Sequence, residues 1–577
     1  MTSRINQHAT ASGFARIFQS AGNMTVYEAT NPYRLATWPT HGTETQPNAK
    51  VWEQPSVLLR ASNALVHFAG RTDEQERLKE WRDAPAPLAV RVMHGPGGQG
   101  KTRLAGHLAH EWAAEGWVVI GAYHHRDRQG PDLFAAPNLE GAAGVLVVVD
   151  YAERWDTADL LALLSDTTTG AGARLSVRVL LLSRPAGTWW QTLSHRIKRD
   201  LDLTATRVEL GPLENDSAVT RAGLFSTARD RFADLLEVPS AREIAPPETL
   251  TDHADFRLVL AVHMAALAAV LGHGRSEGPP SDPVEVSAYL LGRERAHWQD
   301  LHTRGEAPLA TTPDAMGQVV YTATLTGALG RADATEALEH AAVESREHPG
   351  QLLKDHAVCY PPAPVDGTAQ HTSTVLEPLY PDRLGEDYLA LLTAGHAHDF
   401  PCDEWADDAP ARLLASRDAP PPAWARHVLT TLIEAAARWP HVAERQLYPL
   451  LRARPALALE AGGVALAALA TLEDVDPALL ETIDSLLPKR HIDLDIAAAA
   501  LATRLVEHRL DAATTPAERA RIHDRAATRL YYAGQRDHAL TQNHEALLIW
   551  RELTDEPEGA AHLPYLAALP KQLRESA

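Results

Sequence analysis

Between Leu88 and Leu213, short apolar runs alternate with stretches of helical period. The runs are LAVRVMHG, WVVIGAYHH, GVLVVVDYA, RVLLLSRP and TRVELGPL. Rich in β-branched residues and separated by helical stretches, they read as strands of a parallel sheet covered on both faces. Upstream, residues 1 to about 50 are polar and irregular around one apolar island, FARIFQSAGNMTVYEA (14–29), and residues 75–83 look helical. After Leu213 the period becomes helical, from DSAVTRAGLFSTARDRFADLLE to PVEVSAYLLGRERAHWQDLH, broken by a loop at GHGRSEGPPSDP (272–283). LVLAVHMAALAAVLG (258–272) is too short to span a bilayer and carries His263, so it reads as a buried helix. Residues 312–400 read as helices followed by a β-prone piece, TSTVLEPLYPDRLGEDYLALL, and the chain beyond Pro420 is Ala/Leu-rich and helical.

Near the C-terminus, AATRLYYAGQRDHALTQNHEALLIWREL (526–553) has the spacing of a tetratricopeptide repeat. Small residues fall at Ala527, Gly534, Ala539 and Ala546, where two antiparallel helices must approach closely, while Arg551 stands where a closing proline is usual. A second unit begins at AAHLPYLAALPKQL. A lone repeat cannot bury its apolar face, so the preceding helices (424–510) are expected to stack on it.

Composition narrows the class. A chain of 577 residues exceeds a single core. Its net charge of −21 works against nonspecific binding to nucleic acid or to an anionic membrane. The two cysteines, Cys359 and Cys402, supply no disulfide framework and no multi-cysteine zinc site, and neither has a recognisable histidine-paired context. MTSRINQHATASG contains no apolar secretory region, so a cytoplasmic location is expected.

The chemistry concentrates after the first run. Gly95-Pro96-Gly97-Gly98-Gln99-Gly100-Lys101-Thr102 fits G-x-x-x-x-G-K-[ST] completely. Glycines let consecutive N–H groups turn toward phosphate oxygens, and the following helix adds its dipole. Lys101 would reach the β/γ-phosphates and Thr102 would offer its hydroxyl to Mg²⁺, with Arg103 next in the loop-to-helix turn. A second metal anchor is expected from a neighbouring strand, and VLVVVDYAER supplies Asp150 at a strand's carboxyl end. Glu153 is either the group that orients or deprotonates an attacking water or an exposed loop carboxylate. Arg184, closing VRVLLLSRP, is read as a sensor of the γ-phosphate, with a surface arginine as the bland alternative. VHFAGRTDEQERLKEW places Gly70 and Arg71 before a helix, as a flap on the adenine side.

Other constellations carry less. In HLAHEW, His107, His110 and Glu111 are not H-E-x-x-H and read as a solvated helix face. Trp189 and Trp190 read as helix packing. No G-x-S-x-G elbow appears, no N-K-x-D signature points to guanine, and no L-S-G-G-Q points to a transporter, so ATP/ADP is the expected nucleotide.

These pieces together resemble STAND-class ATPases, the signal-transduction group that includes NACHT and NB-ARC proteins. The likeness covers roughly 62–400: HFAGRTDE, the phosphate loop, DYAE, LLSRP and ELGPL, the last bringing Pro212 to the nucleotide side. It looks nearest to actinobacterial forms with C-terminal tetratricopeptide arrays. VHMAALAAVLG and LYPDRLGEDYLALL look like the helical and winged-helix segments of such proteins.

The resemblance implies a multidomain chain, α/β plus all-α. An N-terminal flexible segment (1–60) leads to a P-loop ATPase domain (61–213) with a parallel sheet of ASCE type. A helical domain (214–310), a winged-helix-like domain (311–415) and a C-terminal α-solenoid of tetratricopeptide-like sensor repeats (416–577) follow. The family's proline-containing G-x-P motif is absent from HADFRLVLAVHMAAL, and the winged-helix histidine that touches the β-phosphate in relatives has no clear counterpart, His356 being only a guess.

The resemblance also implies an ADP-bound resting monomer, ATP-driven opening after an unknown ligand or protein trigger meets the repeats, a homo-oligomer when ATP-bound, and slow ATP hydrolysis as the timer. Bacterial conflict, defence or programmed-death signalling is the expected setting. ARIFQSAGNMTV resembles short amyloid-type signalling motifs that would reach a downstream effector, with a linker hairpin or an added edge strand as alternatives. Two other functions stay open: an ATP-dependent transcription regulator binding DNA through the winged helix, and a scaffold with a locked nucleotide.

Overall fold

β-branched and leucine-rich runs bury both faces of a sheet, and that drives the architecture here. The structure is a computed structural model that describes residues 32–38, 54–124, 139–170, 175–184, 187–213, 219–303, 308–362, 374–415, 420–555, 561 and 564. Six strands form one sheet: β1 (Tyr33–Thr37), β2 (Leu88–His94), β3 (Trp117–His124), β4 (Gly144–Val149), β5 (Ser176–Ser183) and β6 (Ala205–Glu209). Their order is β1-β3-β4-β5-β2-β6, with β3, β4, β5, β2 and β6 mutually parallel. Every residue of β4 is buried, as its unbroken apolar pattern requires.

All the runs expected to be strands are strands. β1 is an addition: YRLAT pairs antiparallel with β3, setting Tyr33 opposite His124 and Thr37 opposite Ile120. The stretch from residue 1 to about 50 is therefore not irregular throughout. At this length the segment's own pattern is weak, and its hydrogen bonds to β3 and the burial of Trp38 in the sheet's core hold it. The amyloid-like stretch 14–29 lies outside the described residues.

The helix Thr72–Asp83 contains the expected 75–83. It covers the sheet through Leu78 and Trp81, which join Leu104, Leu108 and Trp112 in one core. Arg178, fully buried within β5, donates to the carbonyls of Trp81, Ala84 and Ala86 at the end of that helix. A buried guanidinium is tolerable because it satisfies carbonyls the helix leaves orphaned.

Helices Arg221–Leu235, Val259–His273 and Pro283–Thr303 follow, the loop near 272–283 lying where expected. The run 258–272 is a buried helix, and no helix among the described residues is long and apolar enough to cross a membrane. Helices Pro313–Thr326, Arg331–Ala341, Pro349–Cys359, Asp382–Leu392 and Glu404–Leu413 come next. Among the described residues, the β-prone piece there contributes one antiparallel bridge, Leu329 to Leu376, and LYPDRLGEDYLALL is mostly helix.

The chain divides into two compact units. One comprises Met1–Trp155, Asp159–Pro185 and Leu201–Arg412 and holds the sheet. The other comprises Asp156–Ala158, Ala186–Asp200 and Leu413–Ala577. Within the latter, helices Pro516–Tyr532 and Arg536–Thr554 form a hairpin turned at Gly534, whose φ of 77° suits glycine. Ala527, Ala539 and Ala546 are buried at the helix contact, as the repeat spacing predicts. Helix Asp495–Ala512 packs on the hairpin through Ala499, Leu530, Ala533 and Ala539. Most of AAHLPYLAALPKQL, where a second unit was expected, lies outside the described residues.

Candidate functional site

β2 ends at His94, and the chain turns through Gly95–Gly100 into the helix Lys101–Ala114. Two glycines of the turn have left-handed φ, 82° at Gly98 and 92° at Gly100. At Gly95 a Cβ would lie 2.6 Å from the Leu210 carbonyl oxygen, so only glycine fits there. The first backbone bond of the helix is Leu104 N–H to Gly100 O, at 2.9 Å. The amides of Lys101, Thr102 and Arg103 consequently have no helical acceptor and face the loop, the arrangement that receives phosphate oxygens.

Lys101 Nζ donates to the carbonyls of Gly95 and Pro96 at 2.7 and 3.0 Å. Burial brings its pKa down to about 8, against the pull of Glu153, with Arg184 adding to the fall. Thr102 Oγ1 donates to Asp150 Oδ2 at 3.0 Å, so the residues from two different strand ends meet. Burial raises the Asp150 carboxyl, while its bonds from Thr102 and the Tyr151 amide and the charge of Lys101 pull it back. Tyr151 itself is left-handed, with φ 49°. For a non-glycine residue that is a strained backbone, of the kind concentrated at functional sites.

Glu153 lies in the turn Ala152–Arg154 and is 5% exposed, which removes the reading of an exposed loop carboxylate. Its Oε1 accepts from the Arg184 amide at 3.0 Å, and its Oε2 has no hydrogen-bond partner among the described residues. Burial raises its pKa above the usual range. β5 stands between β2 and β4, which places Arg184 between the phosphate loop and Asp150. The Arg184 guanidinium carbon lies 3.7 Å from where a Cβ on Gly97 would be, so Arg184 is no isolated surface arginine.

Arg184 has partners the sequence did not suggest. Its Nη2 lies 2.9 Å from Asp382 Oδ2 and 2.8 Å from Glu386 Oε1, both on the helix Asp382–Leu392. Asp382 also accepts from Tyr151 OH at 2.7 Å and lies 3.5 Å from Arg154 Nη2. The available signal was the i,i+4 spacing of two acids in PDRLGEDY, which puts both on one helix face.

The flap residues also converge on the loop. Arg71 (3% exposed) donates to Gln99 O and, from Nη1, to Gly211 O and Glu74 Oε1. It thereby ties the phosphate loop to the GPL segment beside Pro212, and its guanidinium is spent on these acceptors. Gly70 and Arg71 both adopt left-handed φ, turning the chain into the following helix. Arg103 points away, donating to Val66 O at 2.6 Å.

The absent G-x-P motif has a local counterpart. Leu260 N–H donates to Gly98 O at 3.0 Å, so the helix Val259–His273 begins against the phosphate loop. A proline at 260 would have no N–H to give. His356 is fully buried and stacks on Tyr360, in the helix layer rather than at the phosphate loop. His107 stacks on Phe68 and approaches Glu111, as a helix face would. Trp189 and Trp190 are both buried.

One expectation is corrected. Cys402 does lie beside a histidine, its Sγ 3.3 Å from His396 Nε2. That nitrogen is also 2.7 Å from Leu391 O, which can only accept, so it carries the proton and cannot serve as a base for the thiol.

The donor set fits a nucleoside triphosphate with its divalent cation. Free amides and Lys101 face where phosphates would bind, a hydroxyl and a carboxylate sit together as metal ligands, and the Glu153 oxygen is buried without a partner. Fold and site together define a strand–glycine loop–helix unit in a parallel sheet, with an arginine at the end of the adjacent strand β5 and an acid at the end of β4, one strand further.

No family model matches the chain, and no curated protein matches it. Similar solved structures include a signal transduction ATPase with numerous domains, bearing a tetratricopeptide repeat sensor, from Pyrococcus horikoshii. It is 12% identical over 87% of this chain and 74% of that one, with a TM-score of 0.24. Another is Cdc6p from Pyrobaculum aerophilum, 14% identical over 58% of this chain and 96% of that one, with a TM-score of 0.25.

Proposed function

We propose that this chain is a STAND-type signalling switch that binds and slowly hydrolyses ATP. It rests with ADP and opens and self-associates with ATP once a trigger engages the C-terminal repeats. The observation that carries this reading is the ion pairing of Arg184 with Asp382 and Glu386. A γ-phosphate shifts a two-state equilibrium only through contacts made in one state. Arg184 is built to make that contact, and here two carboxylates of a distant helix claim it.

The chain's own groups divide the work. The first-turn amides and Lys101 take phosphate oxygens, Lys101 exchanging its two carbonyl acceptors for them. Thr102 and Asp150 would hold Mg²⁺, which supplies positive charge between the phosphates. The free oxygen of Glu153 is suited to orient or deprotonate a water, its raised pKa favouring proton uptake. Arg184 would stabilise charge in transfer once released from the acids. Defence or death signalling is the setting this reading favours, with the N-terminal motif as the route to an effector.

The test is a pair of binding curves. Asp382→Asn combined with Glu386→Gln frees Arg184, and ATP affinity should rise by ~10-fold with ADP affinity changing far less. Equal shifts for both nucleotides, or no shift in either, would contradict the proposal.

A further inference from the structure

The second unit contains a pocket that the nucleotide chemistry does not use. It encloses about 250 Å³ where the helix Gly187–Leu201 meets the turn of the helical hairpin. Thr192 Oγ1 donates to Ala533 O at 2.5 Å, which ties the two walls, and a Cβ on Gly534 would lie 3.8 Å from Thr192 and His195. Arg196, Arg199, Arg490 and Arg536 all line it.

Arg196 is the telling group. It is 8% exposed, lines the cavity, and has no hydrogen bond or ion pair among the described residues. With no protein acceptor, its guanidinium donors are left to whatever occupies the cavity it lines. Burial is the main reason its pKa is lowered, and Arg199 adds to the effect. Two carboxylates act on it, Asp200 and Asp495. Asp200 is already engaged by Arg199 at 2.6 and 2.9 Å, and Asp495 accepts from the His491 amide. Four guanidiniums less two carboxylates leave a surplus of two positive charges, in a chain whose net charge is −21.

The remaining groups suit an anion as well. Arg536 Nη2 is 3.0 Å from His195 Nε2, and since arginine can only donate, that nitrogen accepts and the ring's proton sits on Nδ1. Burial first, then Arg536, keep that histidine neutral to lower pH than usual. Arg490 lies over the Tyr532 ring, its guanidinium carbon 5.5 Å from the centroid. Tyr531 beside it is 60% exposed, an aromatic surface at the pocket mouth.

We propose that this pocket binds a small phosphorylated metabolite through its phosphate monoester. A doubly charged phosphate matches the surplus, and guanidinium forks match its geometry. The volume falls below that of pockets for drug-sized ligands, about 300–1,000 Å³, which favours a phosphosugar-sized molecule. As the ligand that triggers the switch, it rests on the function proposed above; as a binding site, it stands without it.

The experiment is calorimetric titration of ribose 5-phosphate into full chain carrying Lys101→Ala, which weakens the phosphate loop as a competing anion site, with ribose as the neutral control. Saturable binding of the phosphate and none of ribose is expected. Adding Arg196→Met should weaken it at least 10-fold, and thermal unfolding without ligand should show this variant no less stable than its parent. Arg490→Gln, at an exposed position, should weaken binding without affecting folding. No binding to the parent, equal binding of ribose, or undiminished binding to both arginine variants overturns the site. Failure of the unmutated chain to bind ATP, with ribose 5-phosphate still bound here, would instead overturn the nucleotide reading alone.

Discussion

Lys101 holds its charge in a place that disfavours it, and this has a measurable consequence. Its pKa falls from 10.5 to about 8 through burial. A lysine depressed on folding adds no penalty above its unfolded value; its cost builds as pH falls from there to the folded value and is complete below it. At pH 7 the cost is on the order of 3 kcal/mol, since each unit is worth about 1.4. Lys101→Met should therefore be more stable than the parent by ~1–3 kcal/mol at pH 7 in urea unfolding without nucleotide. The difference should shrink from pH 8 upward and vanish above 10.5. The same variant should lose ATP binding. Constant destabilisation across that range would mean the lysine is a plain structural contact.

That Thr102 and Asp150 come together was legible, because the glycine-rich motif and an acid closing an apolar run both fall at strand ends. Asp382 and Glu386 were not, because no local pattern marks an ion pair whose partners lie some two hundred residues apart. Arg71 was legible as a loop residue. That it spends its guanidinium on backbone carbonyls was not.

At the scale of elements, hydrophobic pattern located the parallel strands and most helices. It missed β1, whose stability comes from pairing with β3, a contact a sequence window does not contain. The start of helix Val259–His273 on Gly98 was likewise hidden, since backbone bonds leave no residue signature. In the C-terminal hairpin the small-residue spacing was sufficient. Trp550 is fully buried there, packed with Ala520, Ala546 and Leu547, and its Nε1 donates to Asp524 at 2.8 Å. Trp550→Ala should cost ~3–5 kcal/mol, read as a lowered denaturation midpoint of the helical signal. Trp550→Phe keeps most of the apolar area and should cost clearly less. Equal effects would show that the indole's hydrogen bond, rather than its volume, holds the hairpin.

For the whole molecule, the switch proposed above, in an acidic chain whose Arg184 is held by carboxylates, has assembly as its output. Repulsion within a net charge of −21 opposes self-association unless specific contacts are exposed. Assembly should accordingly depend on which nucleotide is bound. Native mass measurement of the full chain with ADP and with a non-hydrolysable ATP analogue, on the parent and on Lys101→Ala, tests this most directly. The account predicts a monomer retaining ADP, a larger species with the analogue, and neither nucleotide retention nor assembly in the variant. A parent that stays monomeric with the analogue bound, or a variant that assembles as the parent does, would contradict it.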